Sequence, residues 1–370
     1  MKIVRVVSEL DFGGVEQVIA NSVPNLFKSS DVELSILVLG KGGRISNYLI
    51  ENGIPVNIWN RRVRIPNFSL LFQLQNFLRN YNPDVVHCQG SEANFHGILA
   101  AKFGGVPRII GEEIGIPNHH SFWKWIFRIV YKQAHQVIAI SEAVKREIVG
   151  LGEVSEEKVK VIYNPVDSEG RENRDQGNQK REFEGEEKGY TFNFVTTCRL
   201  VPIKNLERLI QAFGGLVKAN PDRELRLRIV GEGPERENID KEIRDKGLVS
   251  RVEILGFQSN VWAFLEESDV FVLPSLREGS SVSLAEAMTV GLPSIVTQVG
   301  GASEVLGDSN SGIFIDPLDI DSIQGAMQQM IDFSKEEREA MGARAKKEAQ
   351  RFSVDNYIKE LMKIYHSPIS

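Results

Sequence analysis

Two carboxylates stand eight residues apart in Glu278-Gly-Ser-Ser-Val-Ser-Leu-Ala-Glu286. A Gly-Ser-Ser turn follows the first, and a helical run leads into the second. The apolar stretch Asp269-Val-Phe-Val-Leu-Pro274 just before them reads as a buried strand. Strand, turn and helix start in that order create an anion site, because free backbone N–H groups and the helix dipole converge there. A carboxylate beside a phosphate would be repelled. Two acids at such a place therefore suit neutral hydroxyl groups, and an anion flanked by hydroxyl-rich rings describes a sugar nucleotide.

Other candidate groups also follow strand-like runs. Arg199 and Lys204 flank the short loop Cys198-Arg-Leu-Val-Pro-Ile-Lys-Asn205, where two fixed cations could neutralise a diphosphate. A solvated basic loop is the plainer reading of that pair alone. Gly13 and Gly14 lie between the first strand and a helix, and allow backbone to approach a ligand or simply make a tight turn. The same two readings apply to Gly231-Glu-Gly-Pro234. Phe257, after another strand, could offer a ring face to a base. Gly300 and Gly301 open a further helix and could floor the same cleft. His87 is read at the end of a strand facing a ligand, with a buried structural role about equally open. Glu112 and Glu113 end the next strand and point in different directions, so at most one faces a ligand. Asp319-Ile-Asp321 has a metal-binding spacing, but it follows Asp316-Pro317 at a helix start, where acids cap the helix and complement its dipole.

These groups need a scaffold that gathers strand ends. The 370 residues are too many for one ordinary core, so two domains are expected. Near-continuous apolar strands alternate with helical segments, as in parallel sheets covered on both faces. The first set runs Ile3–Val7, Glu33–Leu39, Val56–Trp59, Asp84–Cys88, Arg108–Gly111, Gln136–Ile140 and Val159–Tyr163. The second runs Phe192–Cys198, Leu225–Val230, Val252–Leu255, Asp269–Leu273, Ser294–Thr297 and Gly312–Ile315. Between them, residues 168–190 carry 12 charges in 23 positions and read as a polar linker or loop. The expected division is 1–167, then 191–352, followed by a final helix (353–370) that the sequence alone does not assign to either domain.

Composition narrows the function class. A net charge of −6 argues against nucleic acid as a partner. Cys88 and Cys198 are read as two thiols in a reducing compartment. No apolar run reaches the length of a membrane span and the first ten residues have no signal-peptide core, so a cytoplasmic location is expected.

Taken together, the chain resembles the GT-B retaining glycosyltransferases of the large family 4 group. The resemblance rests on Arg199…Lys204, Gly231-Glu-Gly-Pro234, Glu278-x7-Glu286, Gly291-Leu-Pro293, Gly300-Gly301…Glu304 and Gly312…Pro317 in family order, with Gly13-Gly-Val-Glu16 and Ser141-Glu142 fitting in the first half. It implies an α/β fold of two Rossmann-like, doubly wound domains facing each other across a cleft. It also implies that Arg199 and Lys204 hold the donor diphosphate, Glu278 the transferred sugar and Glu286 the ribose. Ser280, Ser281 and Val282 would offer N–H groups to phosphate, and Gly14 would border the diphosphate from the other domain. No cofactor or metal is then required. The donor is a nucleoside-diphosphate sugar, UDP by preference, and anomeric configuration is retained. Many members carry a His where this chain has Glu113, so that residue's usual role does not transfer.

The acceptor belongs with the first domain, as a saccharide or lipid-linked saccharide. Arg61–Phe68 mixes cations with apolar groups, and Ser121–Lys132 is a helical run holding Trp123, Trp125, Lys124, Arg128 and Lys132. Aromatics with cations suit peripheral contact with an anionic membrane, against the plainer reading of a core-facing helix with snorkelling bases. A GT-B sugar-nucleotide epimerase and a non-catalytic sugar-nucleotide-binding subunit remain the rivals.

Overall fold

In a computed structural model, residues 1–367 are described except 12, 30, 118, 168–189, 259 and 308. The polar segment 168–190 thus lies, apart from Tyr190, outside the described residues. The chain divides into two units, residues 1–167 with 352–370, and residues 168–351.

Each strand-like run of the sequence forms a strand in a parallel sheet. The first unit holds β1 (Lys2–Val7), β2 (Glu33–Val38), β3 (Val56–Ile58), β4 (Val85–Gln89), β5 (Arg108–Glu113), β6 (Gln136–Ala139) and β7 (Val159–Val161), in the order β3-β2-β1-β4-β5-β6-β7. The second holds β8 (Thr191–Thr197), β9 (Glu224–Val230), β10 (Val252–Gly256), β11 (Val270–Leu273), β12 (Ser294–Thr297) and β13 (Gly312–Ile315), in the order β10-β9-β8-β11-β12-β13. Val4, Val6, Val86, Ile109 and Val137 in one unit, and Phe194, Leu227, Val270, Val272 and Ile295 in the other, are buried. Strands covered on both faces must be apolar throughout, which is why they read as unbroken runs.

The two sheets share one topology. β1 pairs with both β2 and β4, and β8 pairs with both β9 and β11. At these two places the direction of strand addition reverses, and the helices leaving adjacent strand ends diverge. A crevice opens there, where ligands of doubly wound sheets bind.

The terminal helix Val354–His366 is part of the first unit. It is capped by Ser353, whose side chain accepts from Asn356 N, and it buries Tyr357, Leu361, Ile364 and Tyr365. Val166 N donates to Phe352 O at 2.8 Å, and Arg108 Nη1 reaches Ile364 O at 3.1 Å. These four side chains form the face that packs.

Candidate active site

The strongest constellation lies at the reversal point of the second sheet. The loop after β8 carries Arg199, which is exposed, and then a single helical turn, Pro202–Lys204. The loop after β11 carries Glu278, 9% exposed. Lys204 Nζ and Glu278 Oε2 meet at 2.7 Å. Burial alone would push the lysine ammonium down, but the charge and hydrogen bond of Glu278 override it and hold Lys204 above its ordinary pKa. Backbone bonds fix the pair's spacing. Leu276 N donates to Ile203 O at 2.8 Å, and Gly301 N to Glu278 O at 2.8 Å.

Asn205 is a staple that sequence reading passed over. It sits in the left-handed region at φ 57°, and its Nδ2 donates to Pro274 O at 3.0 Å and Pro317 O at 2.7 Å. Three loops, after β8, β11 and β13, are tied by one amide. The signal was available: an Asn between a helical turn and a longer helix is where a left-handed residue is needed.

Helix Val282–Val290 starts beside the pair. Ser281 caps it by accepting from Leu284 N at 3.2 Å. The N–H groups of Ser280, Ser281 and Val282 make no hydrogen bond among the described residues, so the helix start can still receive an anion. One turn on, Glu286 is 9% exposed, and burial pushes its carboxyl up to about 8. At neutral pH it is mostly protonated, and hydroxyl partners would relieve its desolvation.

Gly231 has a structural reason to be glycine. Its φ is +149°, and a Cβ there would lie 1.8 Å from Cys198 O; one on Gly233 would lie 2.3 Å from Leu200 O. The loops after β8 and β9 run against each other, with Leu200 N donating to Glu232 O at 2.9 Å. These glycines shape the Arg199 loop through backbone approach. Gly14 differs: it is exposed, and a Cβ would meet nothing within 4 Å. It follows Gly13, which starts helix Gly14–Phe27 without a side-chain cap. Phe257 is half-buried after β10, an edge strand two places from β8. Asp319 caps the helix Ile320–Asp332 by accepting from Asp321 N at 3.0 Å, so that pair of acids serves the helix start.

In the first unit, two readings require correction. His87 lies in the middle of β4 and is fully buried. Its Nδ1 is 2.8 Å from Tyr365 Oη, and its Nε2 is 2.9 Å from Glu112 Oε2. Burial lowers the His87 pKa, despite the pull of Glu112. Glu112 is pushed up by burial, yet the His87 and Gln89 bonds and the Arg5 charge hold it below its ordinary value. Arg5, also fully buried, donates to Gln89 Oε1 at 2.8 Å and to Tyr357 Oη at 3.4 Å. His87 is thus part of a polar core that joins the terminal helix to the sheet, a structural place and not a ligand-facing one.

Glu113, taken as a possible ligand group, is 2% exposed and accepts a hydrogen bond from Tyr131 Oη. Burial pushes its carboxyl up to about 7; the Tyr131 bond opposes this and the charge of Glu153 adds to it. Glu112 and Glu113 point to opposite faces of β5, as the two-residue period of a strand requires, and both faces are covered.

Known proteins show which class this scaffold belongs to. Residues 12–169 match the family model for Glycosyltransferase Family 4, and residues 177–348 match that for glycosyl transferases group 1. In Escherichia coli, UDP-Gal:alpha-D-GlcNAc-diphosphoundecaprenol alpha-1,3-galactosyltransferase is 28% identical over 80% of this chain and 79% of its own length. A Campylobacter jejuni alpha-N-acetylgalactosaminyltransferase acting on a diphospho-undecaprenol-linked sugar is 23% identical over 96% of both chains. In structure, Anabaena HepE in complex with UDP superposes with a TM-score of 0.81 over the whole of both chains at 20% identity. The fold is GT-B. This chain is a glycosyltransferase.

Proposed function

We propose that the chain is a retaining, metal-independent transferase that moves a sugar from a nucleoside-diphosphate sugar, with UDP as the nucleotide, to a hydroxyl of a lipid-linked saccharide. The observation that carries this is the Lys204–Glu278 pair at 2.7 Å beside the open start of helix Val282–Val290. Lys204 and Arg199 supply counter-charge for a diphosphate, together with the N–H groups of Ser280, Ser281 and Val282. Glu278 takes hydroxyls of the transferred sugar, and Glu286 those of the ribose. In the reaction, the anomeric carbon's bond to the phosphate oxygen breaks and its bond to the acceptor oxygen forms on the same face. The acceptor's proton passes to the leaving phosphate oxygen. No protein nucleophile is needed, and the two cations offset the charge that develops on the leaving group.

The relatives support this reading. One named above is a UDP-galactose enzyme, both act on diphosphoundecaprenol-linked sugars, and HepE binds UDP. Both of those sequence relatives are transferases, so the epimerase and binding-subunit readings are not favoured. A thermal-shift panel of nucleotide sugars, followed by transfer from the best donor to GlcNAc-diphosphoprenol, tests the proposal. The expected product keeps the donor's α configuration and forms equally well in EDTA. A β product, or one that needs added metal, would overturn the corresponding part.

A lipid-linked acceptor also fits the outer face of the first unit. On helix Ser121–Gln133, Phe122, Trp125 and Ile129 are 59%, 60% and 42% exposed, while Trp123 packs on the core. Phe68 and Phe72 on helix Phe68–Tyr81 are 66% and 60% exposed. Arg61, Arg62 and Arg64, just before the second of these helices, and Arg128 and Lys132, on the first, are exposed too. No helix among the described residues is long and apolar enough to cross a membrane. The proposed contact is peripheral, on the cytoplasmic leaflet. The protein is expected to float with anionic liposomes at low salt and to be released at high salt. Equal recovery with neutral vesicles would sink the electrostatic part, and no flotation at all the whole idea.

A further inference from the structure

A second cluster of titratable groups sits in the first unit, at the end of β5 and around the helix that follows. His119 Nδ1 lies 2.7 Å from Glu153 Oε1. Glu153 is 1% exposed, and its other carboxylate oxygen has no partner. The His119 ring stacks parallel on Phe127, with centroids 4.5 Å apart and planes 8° apart. Behind them lies Glu113, bonded by Tyr131 and facing Asn94 Nδ2 at 3.5 Å. The His119 side chain alone of these keeps an exposed edge, at 15%. Its Nε2 makes no hydrogen bond among the described residues.

This is how an imidazole is fixed for use. One nitrogen is held by a buried carboxylate, the ring plane is set by an aromatic face, and the second nitrogen has no partner among the described residues. A loop histidine serving only the fold has no need of all three. We propose that His119 is a saccharide-binding residue of the first unit, offering Nε2 to a sugar hydroxyl, with Glu153 and Phe127 as its positioning residues. The inference rests on the glycosyltransferase reading above.

Charge selects a neutral partner over a phosphate. The Glu153 bond raises the His119 pKa against burial, so any charge on the ring faces the carboxylate that holds it. Glu113, near 7, adds negative charge as the pH rises. Tyr131, driven far above its ordinary range by burial and by Glu113, stays protonated; it donates to Glu113 and accepts from Asn94 Nδ2 at 3.2 Å. A diphosphate approaching this cluster meets no net positive charge, whereas a hydroxyl oxygen can accept from Nε2–H. The hydroxyl belongs either to the transferred sugar or to the acceptor sugar.

The test uses the full chain with UDP, UDP-glucose and GlcNAc-diphosphoprenol as probes. His119→Ala is expected to lower transfer by about 10- to 100-fold, the range for losing one charge-assisted hydrogen bond. If His119 touches the transferred sugar, UDP-glucose also loses its binding advantage over UDP. If it touches the acceptor sugar, both nucleotides bind as before and the acceptor KM rises. Glu153→Gln should lower the His119 pKa seen by NMR and move the activity optimum to lower pH. A purely structural histidine would not shift that profile. His119→Gln, which keeps an amide N–H, should recover part of the loss. Wild-type-like transfer and an unmoved pH profile in these variants overturn the inference. If His119→Ala fails to fold, the Glu153→Gln profile decides. A wild-type protein that binds no nucleotide sugar would instead sink the underlying functional reading.

Discussion

Lys204→Met and Glu278→Gln should each cut sugar transfer by about 100- to 1000-fold, the typical cost of removing one preorganised electrostatic group. They should do so in different ways. Lys204 sits where a diphosphate would need counter-charge, so its loss should weaken UDP itself. Glu278 would face the sugar, so its loss should leave UDP binding intact and erase the extra affinity of the matching sugar nucleotide. The ion pair complicates one arm. Removing Lys204 leaves the Glu278 carboxylate, 9% exposed, without its cation, and an uncompensated buried charge is destabilising. Unfolding of Lys204→Met must therefore be measured beside its activity, with Lys204→Met/Glu278→Gln as the control that removes both charges. Wild-type turnover in either single variant would show that this pair does not serve the reaction.

The second large effect concerns Glu286. Its carboxyl is pushed from an ordinary 4.5 to about 8 by burial. A carboxyl raised in the folded state stabilises the fold only while protonated. That stability is fully present below about 4.5 and is lost as pH climbs through about 8, at about 1.4 kcal/mol per pH unit between the two values. Glu286→Gln keeps the shape and removes the charge. Its melting temperature should exceed wild type by an amount that grows from pH 5 to pH 8 and then levels off. Donor affinity should move the other way. Hydroxyls donate best to the ionised carboxylate, so wild-type affinity for the donor should rise with pH up to about 8. A sugar nucleotide is the right probe, because its diphosphate diester does not titrate in this range. The Gln variant should show weak, flat affinity. A variant no more stable than wild type at pH 8, or a pH-independent wild-type affinity, would contradict this account of Glu286.

Both predictions concern the second unit, where much was legible in the sequence. There the chemistry-bearing residues follow their strands within a few positions, so a strand end and a helix start are enough to place them. Arg199, Lys204, Glu278 and the Ser280–Val282 turn are of this kind, and the parallel order of strands brings them to one edge. The first unit was harder to read. His87 and Glu113 also stand at or near strand ends, and nothing local distinguishes them from Glu278. Their burial comes from helices far along the chain: Tyr365 and Tyr357 cover His87 and Arg5 from the terminal helix, and Tyr131 covers Glu113.

Two parallel α/β units, the strand ends that carry polar residues, and the placing of two acids about one helix start all followed from the order of residues. These features depend on periodicity and on neighbours a few positions away. The tertiary structure decided which polar groups are covered and what completes them. It turned His87 into a core residue and gave Gly231 a backbone neighbour that excludes a Cβ. It made Asn205 a tie between three loops, and it set His119 against Glu153 across 34 positions of sequence. Burial and charge pairing depend on segments distant in the chain, and only the closed fold brings those together.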